Sequence, residues 1–347
     1  MAAVGRDFML KVNLGNTGLV VSKTAIGTVP FQRLNFDDSV RLMRRCYDGG
    51  VTYFDTSDNY GGSDSKLGAA FEGIRDKIVI STKISGTGYG KAWQSIKNSL
   101  VALGTDYIDL IQFHNPDIIQ TVESGEYIAA TEAKAAGLVR HIGFTNHNLE
   151  RALEAAQSGL FETIQYPLSF LSTARDEELI TLCSEKNLGL IAMKPFAGGV
   201  IREPELPFWY FRRHANVVPI YGIQRESELD ALLALENGDM PPEAEINRRL
   251  EDGRQRYKNR FCRGCGCCEG ACPHDIDVSY ASRLGDFFYR NPPEKYKGDS
   301  WRKLIEKVEL CENCGACTKA CPYGLALQTA MQESLKTYRM FAAQWTD

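Results

Sequence analysis

Residues 51–83, VTYFDTSDNYGGSDSKLGAAFEGIRDKIVISTK, contain the unit whose repetition decides the fold of this chain. An apolar strand is predicted at Thr52–Thr56, a helix at Ser65–Glu72 and a second apolar strand at Ile78–Lys83. A strand, a helix and a strand in this order are typical of a parallel βαβ unit. The chain around this segment therefore belongs to the α/β class.

The same alternation continues on both sides of this segment. Further strands are predicted at Thr24–Thr28, Ile108–His114, His141–Thr145, Thr163–Tyr166, Gly189–Lys194 and Val217–Ile223. Further helices are predicted from near Asp37, at Ala92–Leu103, Glu123–Ala136, Leu149–Ser158, Ala174–Lys186 and Glu226–Leu235, and less regularly at Glu203–Asn216. Eight such units in about 240 residues favour a (β/α)8 TIM barrel. An open dinucleotide-binding sheet would show Gly-x-Gly-x-x-Gly after its first strand, and none follows it.

Two short runs precede the first barrel strand. Lys11–Leu14 and Leu19–Ser22 are separated by the turn sequence Gly15-Asn16-Thr17-Gly18. Two extended runs joined through such a turn predict a hairpin. The barrel is therefore expected to begin with an N-terminal hairpin.

Length and composition limit the classes of function. The 347 residues suit one large domain with one small domain, and the 44% hydrophobic content is enough for a globular core. The formal net charge of −4 gives no overall basic field for nucleic acid or an anionic membrane. The chain begins without the apolar run of a signal peptide, and no uncharged apolar stretch of about 18 residues follows. We therefore expect a cytoplasmic protein that binds neither nucleic acid nor membrane.

The eleven cysteines are distributed unevenly. Two of them, Cys46 and Cys183, lie in the first 261 residues, and nine lie between Cys262 and Cys321. In a cytoplasmic chain this skew indicates a metal site in a small domain and not disulfides. Pro241-Pro242 marks the boundary, which predicts a barrel over residues 1–240, and a helical connector with a cysteine-rich domain over residues 241–347.

Eight of these cysteines form two runs with the same spacing, C-x2-C-x2-C-x3-C-P. The runs are Cys262, Cys265, Cys268 and Cys272, followed by Cys311, Cys314, Cys317 and Cys321. Three thiolates at three-residue steps can hold three irons of a cubane, and the fourth, after a turn at proline, reaches the other cluster. The predicted ligand sets of two [4Fe–4S] clusters are Cys262, Cys265 and Cys268 with Cys321, and Cys311, Cys314 and Cys317 with Cys272. The segment resembles the two-cluster bacterial ferredoxin domain, which implies a small α+β fold.

Structural zinc is the alternative interpretation of these cysteines. Zinc sites usually use two cysteine pairs, and a third cysteine at the same step has no role in a tetrahedral site. Cys267 lies outside the repeated spacing. We interpret it as a packed, small apolar side chain in preference to a ligand, and its role stays open.

Four polar residues lie where consecutive barrel strands end. Asp55, Lys83 and His114 close strands two, three and four, and Tyr60 lies in the loop after Asp55. The carboxyl ends of the strands of a (β/α)8 barrel converge on the rim where active sites form. A buried Lys83 needs an acidic partner, and its ammonium would lower the pKa of Tyr60, which could then donate a proton to a carbonyl oxygen. A neutral His114 could orient the same oxygen.

Each of these residues also has a structural interpretation. Asp55 could cap a helix, Tyr60 could pack, Lys83 could extend its ammonium to solvent, and His114 could be a hydrogen-bonded core residue. Their joint position on consecutive strand ends favours a site.

The same motifs resemble those of the aldo-keto reductase superfamily. They are Phe54–Gly61 (FDTSDNYG), the strand that ends at Lys83 and Leu110–His114 (LIQFH). The leading hairpin, which plugs the bottom of the barrel in that family, also fits. The resemblance covers about residues 8–238, and the tail resembles that of the iron–sulfur branch. It implies an aldehyde–ketone oxidoreductase in which Tyr60 is the general acid/base, Lys83 lowers its pKa, Asp55 pairs with Lys83 and His114 positions the substrate carbonyl.

The resemblance further implies a site for NADP or NAD. Seven positions match contacts of the family with this cofactor: Thr145, Asn146, Gln165, Met193, Gly222, Gln224 and Arg225. The first three match the groups that bind the nicotinamide carboxamide, and the last three match the phosphate loop. Met193 stands where many relatives stack an aromatic ring, and Gly222 replaces a lysine. Arg225 could reach a 2′-phosphate, so the choice between NADPH and NADH stays open.

The two predicted halves allow three functions. The barrel could interconvert a small-molecule carbonyl and its alcohol with NAD(P)H, while the clusters are structural or carry electrons. Alternatively, the chain could couple a ferredoxin or flavoprotein partner to chemistry in the barrel, although hydride transfer moves two electrons and a cubane exchanges one. A third interpretation is a redox-sensing binding module with an idle barrel.

Overall fold

The structure is a computed structural model that describes residues 9–288 and 296–345. The chain divides into two compact units. The first contains Met1–Phe196 and Glu203–Gly253, and the second contains Ala197–Arg202 and Arg254–Asp347. Among the described residues, no helix combines the length and the apolar character needed to cross a bilayer.

Eight parallel strands close into a barrel in the first unit. They are β3 (Ala25–Gly27), β4 (Tyr53–Asp55), β5 (Val79–Ile84), β6 (Ile108–His114), β7 (Val139–Thr145), β8 (Thr163–Pro167), β9 (Gly189–Met193) and β10 (Val217–Tyr221). The barrel closes where Ile220 and Tyr221 of β10 pair with Ala25 and Ile26 of β3. These strands are short apolar runs because they are buried on both faces. The predicted α/β class and TIM-barrel architecture are confirmed.

The predicted hairpin precedes the barrel. β1 (Lys11–Asn13) and β2 (Val20–Ser22) pair in antiparallel fashion. Leu14, which follows β1, is fully buried among residues of the barrel strands, including Ile191. A Cβ atom on Gly189, the first residue of β9, would lie 2.8 Å from the Leu14 side chain. The hairpin therefore closes the amino end of the barrel, opposite the rim on which polar residues were predicted.

The barrel unit also contains ten helices in the part that the structure describes. They are α1 (Phe36–Asp48), α2 (Ser63–Ala70), α3 (Tyr89–Leu103), α4 (Ile118–Glu123), α5 (Glu126–Ala135), α6 (Leu149–Ser158), α7 (Ala174–Glu185), α8 (Glu205–Arg212), α9 (Glu226–Asn237) and α10 (Glu243–Arg256), of which α10 extends into the second unit. The sequence pattern predicts one helix over Glu123–Ala136; α5 lies within this range, and α4 is an additional helix that ends at Glu123. Gly125 adopts a left-handed backbone (φ 83°) that separates them, and the Asp117 side chain caps α4.

Helix α10 is packed on the barrel unit over most of its length. Ile246 and Leu250 are buried, and a Cβ atom on Gly253 would lie 3.0 Å from the side chains of Phe170 and Leu206. Glycine permits this close approach of helix and core. The compact barrel unit consequently ends at Gly253, whereas the boundary predicted at Pro241 lies before this helix.

The second unit is helical in the residues described. It contains α11 (Val278–Phe288), α12 (Asp299–Glu306), α13 (Ala316–Ala320) and α14 (Leu327–Ala342). Gly285 of α11 contacts Ser334 of α14, whose hydroxyl accepts a hydrogen bond from the Gly285 amide at 2.9 Å. No strand occurs in residues 254–288 and 296–345, the described part of the domain for which an α+β composition was expected. The buried side chains of Leu327, Met331 and Leu335 recur at helical spacing along α14.

Candidate active site and cysteine sites

The carboxyl ends of three neighbouring strands bring the four predicted catalytic residues together. Asp55 ends β4, Lys83 lies near the end of β5 and His114 ends β6. Tyr60 lies in the loop between β4 and α2. The parallel pairing of β4 with β5, and of β5 with β6, places these strand ends side by side. All four residues therefore face one rim of the barrel.

Lys83 and Asp55 form a buried ion pair. The Lys83 Nζ atom lies 2.6 Å from Oδ1 of Asp55, and each side chain is 3% exposed. Nζ also donates to the Thr56 carbonyl oxygen at 2.6 Å. Two buried charges need such complete pairing because each loses its hydration. The structural interpretations of Lys83 as a solvent-exposed ammonium and of Asp55 as a helix cap do not apply.

Two further residues fix the Asp55 carboxylate. The Ser81 hydroxyl donates to Oδ2 at 2.7 Å, and Gln112 Nε2 donates to the same oxygen at 2.9 Å. Sequence reasoning missed both of them. Each lies two residues before a predicted catalytic residue, Ser81 before Lys83 and Gln112 before His114. Because side chains alternate along a strand, this spacing is the signal that could have found them.

Tyr60 lies between Lys83 and His114. The Lys83 Nζ atom is 5.0 Å from the centroid of the Tyr60 ring. The rings of Tyr60 and His114 have centroids 6.0 Å apart and meet edge to face, at 80°. An ammonium, a phenol and an imidazole are thus adjacent on the rim, in a position to act on one polar group of a substrate.

The net pKa of Tyr60 differs from the sequence-based expectation. Burial raises the pKa above its usual value, and the Lys83 ammonium opposes this by lowering it. The charges of Asp55 and Asp58 act in the same direction as burial. The expected influence of Lys83 is present, but a lowered net pKa is wrong because loss of water around the phenolate outweighs it. Tyr60 is consequently a protonated donor at neutral pH.

The protonation states of Lys83 and His114 follow from the same surroundings. Burial lowers the pKa of Lys83, but the charge of Asp55 and the hydrogen bonds with Asp55 and Tyr60 outweigh it and leave the pKa raised. Burial and the neighbouring Lys83 charge lower the pKa of His114 to about 4. Lys83 is therefore a cation and His114 a neutral imidazole at neutral pH.

Gln165, in β8, has the polar atoms expected of a ligand-binding amide. Its side chain is 1% exposed, and neither Oε1 nor Nε2 has a hydrogen-bond partner among the described residues. A buried primary amide without partners is unfavourable. The donor and acceptor pair of Gln165 fits another amide, such as a nicotinamide carboxamide.

Thr145 and Asn146 lie beside Gln165 at the end of β7. Both are buried, and the backbone amide of Asn146 donates to the Gln165 carbonyl oxygen at 3.1 Å. The Asn146 side chain donates to the Pro116 carbonyl oxygen at 2.8 Å and accepts from the Asn148 amide at 2.8 Å. Its orientation is therefore fixed, and one proton and one lone pair of the amide remain for a ligand.

The remaining predicted cofactor residues lie after β9 and β10. Met193 ends β9 and is half-buried, and Gly222 follows β10. A Cβ atom on Gly222 would lie 3.0 Å from Cγ of Pro30, so a larger residue here would make a close contact with that ring. Gln224 accepts a hydrogen bond from Arg33 at 2.8 Å. Arg225 is exposed.

Two charged residues near these positions were not assigned a role from the sequence. The Glu228 carboxylate accepts from the backbone amides of Gln224 and Arg225, at 2.7 and 3.2 Å, at the start of α9. Lys194 follows Met193 with a left-handed backbone (φ 58°), and its Nζ atom is 3.1 Å from Nδ1 of His147. Glu228 adds a negative charge where a 2′-phosphate was predicted to bind, and Lys194 adds a positive charge at the rim.

Four thiols of the second predicted cluster set line one cavity. Cys272 joins Cys311, Cys314 and Cys317 in its wall, together with Pro273, His274, Glu312, Gly315, Gln328 and Met331. A thiol from the first run thus faces three thiols of the second run. Within the described residues, no three His, Cys, Asp or Glu side chains are close enough together to hold a single metal ion. Four thiols spaced around a cavity fit a cubane.

Thiols of the first predicted cluster set also lie near one another. The Cys268 thiol is close enough to Cys262, Cys265 and Cys321 for their charges to affect it. Burial, together with the smaller effect of those three thiols, raises its pKa to about 12. Thiols with such pKa values act as ligands when a metal displaces their protons. Cys267 is exposed, so the prediction that it is a packed side chain is wrong.

The barrel and its rim define a (β/α)8-barrel protein with an ionised lysine beside a tyrosine. Sequence comparison shows which kind: the model of the aldo/keto reductase family matches residues 23–208, more than half of the chain. The chain belongs to this family of oxidoreductases. Residues 258–325 match the 4Fe-4S dicluster domain, which confirms the predicted character of the cysteine-rich segment.

Several curated relatives match a little over half of this chain. L-galactose dehydrogenase from Arabidopsis thaliana is 28% identical over 221 residues, which are 57% of this chain and 68% of that protein. The uncharacterized oxidoreductase YcsN from Bacillus subtilis is 30% identical over 210 residues, 53% of this chain and 69% of its own length. The holo form of aldo-keto reductase AKR11C1 from Bacillus halodurans superposes with a TM-score of 0.62 at 24% identity, over 70% of this chain and 96% of that one. This structural likeness supports the fold.

Proposed function

We propose that this protein interconverts an aldehyde or ketone and the corresponding alcohol, with NADP or NAD as the second substrate. The observation that carries the proposal is the burial of the Lys83–Asp55 ion pair beside Tyr60 on the barrel rim. A buried cation is costly, and this one is directed at a phenol that can exchange a proton with a carbonyl oxygen.

Each residue has a defined part in the reduction. Tyr60 donates its proton to the carbonyl oxygen as negative charge develops there, and the Lys83 ammonium stabilises the resulting phenolate. Asp55, held by Ser81 and Gln112, keeps Lys83 charged and in place. Neutral His114 donates a hydrogen bond that orients the carbonyl oxygen. Oxidation of the alcohol uses the same groups in reverse.

We assign a set of residues on the same rim to a nicotinamide cofactor. When bound, it supplies or accepts the hydride. Gln165, Asn146 and Thr145 are assigned to its carboxamide, because Gln165 has an unused buried amide and Asn146 keeps an unused proton and lone pair. Met193 is assigned to the face of the ring. Four residues after β9 and β10 are assigned to its phosphates: Lys194, Gly222, Gln224 and Arg225.

The dicluster segment is assigned two [4Fe–4S] clusters with crossed ligands. Cys311, Cys314 and Cys317 with Cys272 hold one, supported by the cavity that the four thiols line. Cys262, Cys265 and Cys268 with Cys321 hold the other, supported by the mutual approach of these thiols.

The test uses the full-length protein, purified and reconstituted without oxygen. NADPH and NADH are each mixed with a panel of aldehydes, ketones and aldoses, and nicotinamide oxidation is followed by absorbance. The Tyr60→Phe variant should lose about a hundredfold or more of turnover while its nicotinamide Kd stays within a factor of a few. Tyr127→Phe, which removes a hydroxyl bound to the Leu160 carbonyl, is the matched control and should keep its turnover. Full activity in Tyr60→Phe would refute the assigned mechanism.

A second candidate function is electron exchange with a ferredoxin or flavoprotein partner. The match of residues 258–325 to a dicluster domain favours it. Mixing the reconstituted protein with a reduced low-potential ferredoxin should then bleach its visible iron–sulfur absorption. If a partner is also coupled to the barrel, addition of the carbonyl substrate should restore that absorption. If the substrate does not restore the absorption, the clusters have a structural role or exchange electrons without involving the barrel.

A further inference from the structure

The two cysteine runs match each other position by position, and this comparison exposes a charge difference. Cys262-Arg263-Gly264-Cys265 corresponds to Cys311-Glu312-Asn313-Cys314. Arg263 and Glu312 therefore occupy equivalent places with opposite charge. After the two Cys-Pro pairs, the equivalent residues are His274 and Tyr323.

The crossed arrangement brings these equivalent residues into two corresponding contacts. Arg263 packs on Tyr323, with Cζ 3.7 Å from the ring centroid. His274 packs beside Glu312, with Nε2 3.0 Å from Oε1, although the ring N–H is not directed for a hydrogen bond. Each contact joins the residue after the first cysteine of one run to the residue after the Cys-Pro pair of the other. The two cluster sites are thus related by an internal pseudo-symmetry, but the equivalent residues Arg263 and Glu312 carry opposite charges.

Arg263 is enclosed at the first site. It is 2% exposed, its Cζ atom lies 4.3 Å from the centroid of Phe261, and Nη1 donates to the Phe261 carbonyl oxygen at 3.0 Å. It follows Cys262 directly, and its partner Tyr323 is two residues after Cys321. Both of these cysteines belong to the first ligand set. A permanently charged guanidinium is therefore buried beside that set.

Glu312 is placed differently at the second site. Its side chain is 68% exposed, so water screens its charge more strongly than that of Arg263. Glu269 and Lys319, which also lie within the cysteine runs, are exposed as well. Among these four charged residues, Arg263 alone is buried, so its charge is screened least by water and should have the largest effect on the potential of a neighbouring cluster.

We propose that Arg263 makes the two clusters unequal, giving the one held by Cys262, Cys265, Cys268 and Cys321 the higher reduction potential. This inference rests on the proposed ligand sets and goes beyond the carbonyl chemistry of the barrel. A cubane with four thiolates is net negative and gains one further negative charge when it accepts an electron. A buried cation stabilises that added charge more than the oxidised state, which raises the potential.

The inequality gives the dicluster segment a resting place for a single electron. One electron from a one-electron donor protein enters, no bond is made or broken and no proton is required. At equilibrium the electron occupies the cluster beside Arg263, and the cluster beside Glu312 is reduced only by a second electron. Electron transfer within the segment is therefore favourable from the second cluster to the first.

The experiment is a redox titration of the reconstituted full-length protein with dithionite, followed by electron paramagnetic resonance. Iron and sulfide are measured first, since a preparation without both clusters would reject the ligand sets and not the role of Arg263. Wild type should show two separate one-electron steps. Arg263→Gln should lower the higher potential, leaving the lower one nearly unchanged. Lys319→Gln removes an exposed positive charge from the same segment and should shift either potential less.

Two further variants protect the test against loss of structure. Arg263→Lys keeps the charge and should keep the steps separate, even if Arg263→Gln fails to retain iron. Glu312→Gln, at an exposed position, should raise the lower potential slightly and narrow the gap. Coincident potentials in wild type would overturn the proposal without any variant. An equal effect of Lys319→Gln and Arg263→Gln would overturn it as well.

Discussion

The Nζ atom of Lys83 and the Oδ1 atom of Asp55 are 2.6 Å apart in the barrel, where each side chain is 3% exposed. Because water does not solvate these two charges, hydrogen bonds from the surrounding residues must stabilise them. Ser81 and Gln112 hold the carboxylate, and the Thr56 carbonyl oxygen accepts from the ammonium. The pair is therefore a fixed charge source beside Tyr60, and disturbing it should affect stability and proton transfer together.

The first prediction concerns this coupling. Lys83→Met leaves the Asp55 carboxylate buried without its cation and should reduce the free energy of unfolding by about 3–5 kcal/mol. Asp55→Asn should destabilise the protein for the complementary reason. The double variant Asp55→Asn with Lys83→Met should lose less than the sum of the single losses, because no unpaired charge remains. Urea titrations of the four proteins measure this coupling, and strictly additive losses would contradict it.

The second prediction concerns the pH dependence of carbonyl reduction. Reduction needs protonated Tyr60, so its rate should be constant below the Tyr60 pKa and fall as pH rises through it. Burial holds this pKa above the usual tyrosine value. Lys83→Met should move the alkaline limb to higher pH, since the ammonium lowers the pKa. Rate profiles of wild type and Lys83→Met give the sign, and a shift to lower pH would disprove the assignment.

The third prediction concerns His114. Its pKa of about 4 keeps the imidazole neutral at neutral pH, so kcat/KM should show no inflection near the usual histidine value of about 6.5. His114→Gln should lower kcat/KM by about tenfold or more while leaving the profile flat in this range. An inflection near pH 6.5 that disappears in His114→Gln would show that the histidine acts as a cation.

The fourth prediction concerns the buried amide of Gln165. Gln165→Met removes two unpartnered polar atoms, so the free protein should be equally stable or more stable by about 1–2 kcal/mol. The same change should raise the Kd for NADPH or NADH by about tenfold, because the carboxamide loses its partner. Thermal unfolding and fluorescence titration measure the two effects. Gln112→Met is the matched control: it removes a donor to Asp55 and should destabilise the protein.

The fifth prediction separates a cluster ligand from its neighbour. Cys267 corresponds to Ala316 in the second run and is exposed, whereas Cys268 corresponds to Cys317 and is buried. Cys267→Ala should keep the full iron content, and Cys268→Ala should lose up to about four irons per chain. Iron and sulfide analysis of reconstituted proteins tests this, and equal iron loss in both variants would assign Cys267 to a cluster.

Much of the fold could be predicted because it depends on periodic local patterns. The strand of Ile108–His114 was predicted with its observed bounds, since a buried apolar run is recognisable without its neighbours. Helix α4 was missed because it is a single short segment defined by the Asp117 cap and the turn at Gly125. The helices of the second unit were not predicted individually, since its cysteine spacing specifies ligands and not the structure between them.

The residues of the candidate site could be predicted from the sequence, but the direction of the Tyr60 pKa shift could not. Asp55, Tyr60, Lys83 and His114 were placed on one rim by strand order alone. The direction of this pKa shift depends on how completely the surrounding side chains exclude water from Tyr60.

The sequence by itself determined the barrel, the cysteine spacing and the residues that meet on the rim. Tertiary structure alone decided that Gln165 has no partner, that Ser81 and Gln112 hold Asp55, and that Arg263 is buried while Glu312 is exposed. The reason is physical: periodicity and spacing are properties of the chain order. Solvent exclusion and charge interaction depend on every atom that surrounds a group in space.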